Sequence, residues 1–199
     1  QSLPQPGRGS IIDFMRMRLP TLSVMVLAVL GAAVPGAATT IVPAADPGEL
    51  AMDSGAVFLA RAGESQVVKR PNFLSTVTDF EVLRVIKGDM AVGGVVQVSA
   101  PGGMLDGVGW AVAGSPRFIV GEVYLLFSDR GPDASYRPRL MAESVLRRII
   151  GDDGSSLLVP VKESAQIKRL AVGAAGSSLV PGPVNAGAFL GALETRVAG

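Results

Sequence analysis

The sequence predicts a mainly β protein: a small closed or partly open barrel with an added hairpin and a C-terminal helix. Three observations support this fold class. Apolar residues recur in short runs or at every second position, as they do in strands. The 25 glycines and 14 prolines favour many turns between short elements. A helical pattern of apolar residues occurs only near the C-terminus.

Composition limits the chemistry that the chain can perform. The 199 residues include no histidine and no cysteine, which removes imidazole bases, thiolate nucleophiles, disulfides and the usual zinc ligands. We therefore expect no cofactor and no metal site. The formal net charge of +1 provides no field strong enough to attract nucleic acid. A chain of this length is expected to form one domain around one core.

Residues 1–38 are expected to be an upstream segment followed by a signal peptide. Residues 15–18 supply two arginines, and residues 19–34 form an uncharged apolar run that is short for a membrane-spanning helix. The small residues at positions 36–38 suit a signal peptidase, so we expect cleavage before Thr39 and a secreted or periplasmic protein. The alternative is an uncleaved anchor, which would be the chain's one contact with a membrane.

Residues 39–161 contain the strand patterns of the expected barrel domain and its hairpin. Every second residue from Leu74 to Val82 lies on one, mainly apolar face, and this alternation slips near Leu83. A β-bulge there would return Val85 to the core side and bend the strand. Further strand patterns cover residues 56–62, 95–98, 108–112 and 123–127.

A hairpin is expected at the end of this domain. Residues 145–150 and 157–161 are β-rich runs that flank the turn sequence GDDG at residues 151–154. Calcium binding by the two aspartates would require further oxygen ligands at set positions, and these are missing. We therefore expect a solvated turn.

The last part of the chain is expected to be a loop followed by a helix. Residues 162–183 are rich in alanine, glycine and serine without clear periodicity, which is typical of a loop or flexible arm. Residues 184–199 carry a helical apolar face. Asn185 can cap this helix, and Val184 and Phe189 occupy the two positions of a hydrophobic staple. The helix should dock onto the barrel.

The segment that follows residue 98 contains the candidate binding residues. Gly102 and Gly103 end a strand, where they favour a turn but also permit close approach of a partner. Met104 and Leu105 follow in a loop suited to adaptable apolar contact. The alternative is that this loop covers an open barrel end with both side chains in the core. Trp110 is expected in the core, with recognition of a partner as the alternative.

Two further interpretations concern the neighbouring turns. Residues 107–109 resemble the start of a dinucleotide fingerprint, but Val112 occupies the position of the third glycine and no helical pattern follows, so this interpretation is rejected. Residues 114–117 are expected to lie at the opposite end of strand 108–112 from the loop that carries Met104.

No catalytic residues are expected, so the chain is not predicted to be an enzyme. The sequence has neither a G-x-S-x-G elbow nor an S-x-x-K dyad. Asp79 and Glu81 share a strand face and could act as paired carboxylates, although acidic residues on the outside of a strand are commonly just solvated. They support the alternative function, a carboxylate-based hydrolase of unknown substrate.

Residues 39–127 contain, in this order, the segments TTIVP, AVFLARA, VLRVIKG, APGG and GWAVAGSPRFIVGEVYLLF. This order resembles an uncharacterised family of exported bacterial proteins with a KG…PGG…GxPRFxVGE pattern. That family is distantly similar to the netrin-like OB barrel of tissue inhibitors of metalloproteinases. The resemblance implies an OB-like barrel and, as a partner, a secreted protease. Those inhibitors place an N-terminal cysteine on the catalytic zinc, and this chain has no cysteine, so their inhibitory chemistry is not carried over.

The sequence therefore predicts an exported, non-catalytic binding or interaction module with a protein partner. Its expected binding residues are Gly102, Gly103, Met104, Leu105 and Trp110.

Overall fold

The computed structural model describes residues 40–43, 46–161, 167–170 and 182–199, with the backbone alone described in the first and third of these ranges. The expected upstream segment and signal peptide, residues 1–38, lie outside the described residues. In the part of the chain that is described, no helix is both long and apolar enough to cross a membrane.

The structure is mainly β. In chain order the strands are β1 (Thr40–Pro43), β2 (Ala56–Lys69), β3 (Leu74–Lys87), β4 (Val95–Pro101), β5 (Gly103–Leu105), β6 (Val108–Trp110), β7 (Val123–Arg130), β8 (Tyr136–Pro138), β9 (Val145–Ile150), β10 (Ser156–Pro160), β11 (Ile167–Leu170) and β12 (Val184–Asn185). The helices are α1 (Pro47–Asp53), α2 (Ala186–Ala198) and a short 3-10 helix at Met141–Ser144.

Hydrogen bonding closes part of the main sheet into a ring. The largest sheet among the described residues has the strand order β12-β10-β9-β7-β2-β3-β4-β8. Strand β8 pairs with β4 on one side and with β7 on the other, so β7, β2, β3, β4 and β8 form a continuous ring. The predicted fold class is confirmed, because the fold is mainly β with an added hairpin and a C-terminal helix.

The first five residues of β2, Ala56 to Ala60, and most of β7 are buried on both faces. Val57 and Leu59 of β2 point into a first core cluster that includes residues of both α-helices, whereas Phe58 and Ala60 point into a second cluster. Continuous burial of this kind explains why residues 56–60 form an unbroken apolar run and do not alternate with polar residues. Every strand of the ring contributes to the second cluster, through Phe58, Phe80, Val98, Tyr124 and Tyr136.

The predicted β-bulge in β3 is confirmed by a shift in register. Val82 pairs with Ala60 and Arg84 with Leu59, which leaves Leu83 as the extra residue. Val85 pairs with Phe58, so the register places its half-buried side chain on the side of the second cluster, as expected. Leu83 and Ile86 are the extra residues at the two register shifts, and both pack against the first cluster.

The C-terminal helix was predicted from its cap and its apolar face. Asn185 Oδ1 accepts a hydrogen bond from Ala188 N at 3.0 Å, as an N-cap residue does. Val184 and Phe189, the expected staple, both pack against the first cluster. Helix α2 therefore docks on the outside of the ring.

Helix α1 was not predicted. Asp46 caps it by accepting hydrogen bonds from Gly48 N at 2.8 Å and Glu49 N at 3.1 Å, and Pro47 occupies its first position. The seven-residue helix is too short for a helical period to be recognised. Lys87 Nζ donates to the backbone oxygens of residues 51 and 52, which satisfies carbonyl groups at the end of α1.

Two segments differ from their expected structure. Within residues 162–183, which were expected to be a loop or arm, β11 forms a parallel pair with β1, and residues 162–166 and 171–181 lie outside the described residues. The strand expected at residues 108–112 ends at Trp110 and pairs with β5 outside the main sheet. By contrast, β9 and β10 form the predicted antiparallel hairpin.

Candidate functional site

The expected binding residues lie on a small hairpin that follows β4. Strands β5 and β6 are joined by Asp106 and Gly107, whose φ angles of 50° and 78° are typical of a tight two-residue turn. Leu105 and Val108 are cross-strand partners next to this turn. An Asp-Gly dipeptide is a strong hairpin signal, and it is the feature of the sequence from which this hairpin could have been predicted.

Gly102 and Gly103 hold the hairpin against β2 and β3. Their φ angles are 105° and 143°, and a Cβ atom on Gly103 would lie 2.8 Å from a methyl group of Val67. The backbone N–H of Gly102 donates to Leu74 O at 2.7 Å, and Gly102 O accepts from Thr76 Oγ1 at 2.9 Å. Both glycines thus serve the backbone where β4 passes into β5, in place of the turn that the sequence favoured.

Cross-strand pairing places the expected binding residues on two faces of the hairpin. Leu105, Val108 and Trp110 share one face, because paired residues and residues two apart in a strand point the same way. Met104 points to the other face, where its Cε lies 3.7 Å from the position of a Cβ on Gly109. Met104 and Leu105, expected to act together, are therefore separated by the strand.

Phe73 extends the face that carries Trp110. The two ring centroids are 6.5 Å apart at an interplanar angle of 82°, an edge-on contact. The exposed fraction is 39% for Phe73, 45% for Trp110 and 67% for Val108, and Leu105 is half-buried. We call these four residues the aromatic face. Large apolar side chains left in contact at the surface mark interaction sites more often than isolated ones do.

The exposure of Trp110 and Met104 corrects two expectations. Trp110 was expected in the core, but among the described strands β6 pairs with β5 alone, and the side chain of Trp110 is 45% exposed. Met104 is 71% exposed, so the alternative in which it covers a barrel end as a core residue is wrong. Leu105 is half-buried, so it is neither a core residue nor as exposed as Met104.

The turns around the hairpin are also arranged differently from the expectation. Ser115 Oγ donates to Pro101 O at 2.6 Å, so residues 114–117 lie next to the segment that leads into the hairpin. Since β6 runs from the tip back to the base, Pro101 and Ser115 both lie at the base, and Met104 lies towards the tip. Residues 114–117 are separated from Met104 along the hairpin, as expected. Gly102, however, lies at the base of the hairpin near Ser115 and not with Met104.

Phe73 and Val108 were not predicted as binding residues. Phe73 follows a polar segment, residues 69–72, that reads as an ordinary loop. This loop is closed by a hydrogen bond of 2.8 Å from Arg70 N to Phe73 O. No local pattern identifies Phe73, because its contact with Trp110 joins residues that are far apart in sequence.

The two carboxylates considered for catalysis have other partners. Glu81 forms an ion pair with Arg61 at 2.9 Å, with both side chains about half exposed. Asp79 Oδ1 accepts a hydrogen bond from Gln97 Nε2 at 3.1 Å. Asp79 is half-buried and Glu81 is exposed, so neither lies in a dry pocket of the kind that carboxylic acids use as general acids.

In the acidic turn between β9 and β10, one carboxylate accepts a hydrogen bond from within the turn. Asp153 Oδ1 accepts a hydrogen bond from Ser155 N at 2.9 Å. Hydrogen bonds from Ser155, first from its hydroxyl and then from its backbone, lower the pKa of Asp153. Among the described residues no three acidic, histidine or cysteine side chains are grouped so that they could hold a metal ion.

The sequence matches no protein-family model and no curated protein. The functional interpretation therefore depends on the geometry of the aromatic face and on the resemblance described above.

Proposed function

We propose that the chain is an exported, non-catalytic binding module that contacts a protein partner through the aromatic face. The observation that carries this proposal is the contact between two exposed aromatic rings, Phe73 and Trp110. Aromatic residues, tryptophan above all, are enriched among the side chains that contribute most to the stability of protein complexes.

The backbone under the aromatic face supports this role. Trp110 and Val108 belong to a paired strand, so their main chain is ordered before a partner arrives and less conformational entropy is lost on binding. The face therefore combines apolar area with a preorganised shape.

A secreted protease is the partner class that we propose. The ring of strands is compatible with an OB-like barrel, and the resemblance to the netrin-like barrel of metalloproteinase inhibitors implies a protease partner. Because the chain has no cysteine, a thiolate cannot bind the catalytic zinc, and we propose the aromatic face as the contact instead. Export to the periplasm or the medium would bring the chain to such a partner.

The test is a comparison of partner capture by the wild-type chain and by the double variant Val108→Ser, Trp110→Ser. A metalloprotease secreted by the same cells, purified and immobilised, serves as the probe. We expect the double variant to bind at least about tenfold more weakly, a loss typical of interface tryptophans. Its melting temperature should stay close to that of the wild type, because Val108 is 67% exposed, Trp110 is 45% exposed and neither belongs to a core cluster.

Ile150→Ser is the matched control, since Ile150 is 66% exposed at the end of β9 and has no part in the aromatic face. It should bind as the wild type does. Equal binding by the double variant would contradict the role of the aromatic face. Failure of the wild-type chain to bind any secreted protease would contradict the proposed partner class.

A further inference from the structure

An ion pair joins the loop that carries Phe73 to a distant turn. Arg70 Nη2 lies 2.5 Å from Asp133 Oδ2, although the two residues are 63 positions apart in sequence. Arg70 begins the turn between β2 and β3, and Asp133 lies in the turn between β7 and β8. Their side chains are only 29% and 24% exposed, so the contact is more sheltered than an ordinary surface pair.

Asp133 is held in place on its other oxygen. Ser135 Oγ donates to Asp133 Oδ1 at 2.7 Å, and Arg137 Nη2 lies 3.4 Å from the same oxygen. The turn itself is closed by hydrogen bonds from Gly131 N to Ser135 O at 2.7 Å and from Ala134 N to Gly131 O at 3.1 Å. One carboxylate oxygen is therefore fixed by its own turn and strand, and the other is left to bind Arg70.

Arg70 transmits this restraint to the aromatic face. Its backbone N–H donates to Phe73 O, and the ring of Phe73 contacts the ring of Trp110. Three contacts in series thus connect Asp133 to Trp110. Without the ion pair, the loop between β2 and β3 would keep its own turn and the contact of Phe73 with Trp110, but it would lose its attachment to the turn between β7 and β8.

We propose that Asp133 is a positioning residue for the aromatic face: through Arg70 it holds Phe73 against Trp110. The biological meaning of this role rests on the proposed function, but the contact can be tested without a partner. Trp110 is the only tryptophan in the chain, so its fluorescence and its quenching by acrylamide report on this face alone.

The test compares acrylamide quenching of Trp110 in the full chain and in four variants. Phe73→Ala removes the ring and defines the signal of an uncovered Trp110, which we expect to be quenched at least 1.5-fold more strongly. Asp133→Asn and Arg70→Met should shift quenching most of the way to that value. Arg70→Lys, which keeps the charge, should remain near the wild type.

The matched control is Asp89→Asn, which removes the ion pair between Asp89 and Arg130, with side chains 79% and 58% exposed. It should leave Trp110 quenching unchanged. Melting temperatures should differ little between Asp89→Asn and Asp133→Asn, because single ion pairs near the surface add little to global stability. A quenching change without a matching change in melting temperature separates positioning from general destabilisation.

Wild-type quenching in Asp133→Asn would overturn the proposal, and so would an unchanged signal in Phe73→Ala. Affinity for the partner separates this proposal from the proposed function. If Asp133→Asn uncovers Trp110 and partner binding by this variant and by Phe73→Ala stays at the wild-type level, the positioning role stands and the proposed binding role of the face fails.

Discussion

Gly103 sets the angle at which the hairpin meets the main sheet. Its φ of 143° is unfavourable for other residues, and an added Cβ would lie 2.8 Å from a methyl group of Val67. We expect Gly103→Ala to lower the free energy of unfolding by about 1–3 kcal/mol. Urea denaturation followed by circular dichroism would measure this loss.

Gly107→Ala is the control for Gly103→Ala. Gly107 also has a positive φ, 78°, but no atom of the described residues lies within 4 Å of its added Cβ, so only backbone strain is introduced. The loss should be about 1 kcal/mol, smaller than at Gly103. An equal loss at the two positions would show that the contact with Val67 adds nothing to the cost.

Asp133 should make stability depend on pH in the acid range. The hydrogen bond from Ser135 is the main cause that lowers the pKa of Asp133 in the folded protein, and the charges of Arg137 and Arg70 act in the same direction. Because the folded pKa is below the unfolded value, the contribution is complete above the ordinary value of 3.8 and is lost as pH falls through the lower, folded pKa.

Thermal unfolding of the wild type and of Asp133→Asn between pH 2 and pH 6 tests this dependence. We expect the difference in melting temperature to be small throughout, largest near pH 6, and to shrink towards pH 2. A difference that is constant over this range would show that the charge of Asp133 does not contribute. Asp89→Asn, whose ion pair is more exposed, provides the comparison.

At the scale of elements, helix α2 stabilises the fold by covering one face of the sheet. Leu193 is 3% exposed in the first core cluster, beside Leu190. Leu193→Ala should lower the free energy of unfolding by about 2–4 kcal/mol, the usual cost of a cavity left by a buried leucine. The exposed Thr195→Ala in the same helix should change it by less than about 0.5 kcal/mol. Urea unfolding of both variants decides whether α2 is docked as described.

Some elements could be predicted because their signals are local. Helix α2 has its cap at Asn185 and its apolar residues at helical spacing, and the β9–β10 hairpin has a turn sequence between two β-rich runs. Strand β8 could not be predicted, because its three residues form a strand only through their pairing with β4 and β7. The C-terminal part of β2, residues 63–69, is polar and half-exposed, so its sequence resembles a loop.

The candidate site was predicted only in part, for a similar reason. The sequence directed attention to residues 102–110, since a flexible, apolar segment stands out among polar turns. It could not assign Met104 and Leu105 to opposite faces, because that depends on the register of the hairpin. Phe73 could not be assigned to the site from sequence, because its contact with Trp110 depends on how the fold places the loop between β2 and β3.

At the scale of the whole molecule, the described residues form a ring of strands with one core cluster inside and another under the helices. The proposed export of this domain depends on residues 1–38, which we expect to be removed. N-terminal sequencing of protein recovered from the periplasm or the medium should begin at Thr39 or within a few residues of it. Protein that retains residues 22–34 would show an anchor in place of a cleaved signal peptide.

The most direct test of the binding function is site-specific photo-cross-linking in the cells that export the chain. A photoreactive phenylalanine analogue would replace Trp110 in one variant and Ile150, exposed on the β9–β10 hairpin, in another. We predict one discrete cross-linked product from position 110, containing a secreted protease, and none from position 150. The absence of a discrete product at position 110, or the same product from both positions, would contradict the assignment of the aromatic face as the binding surface.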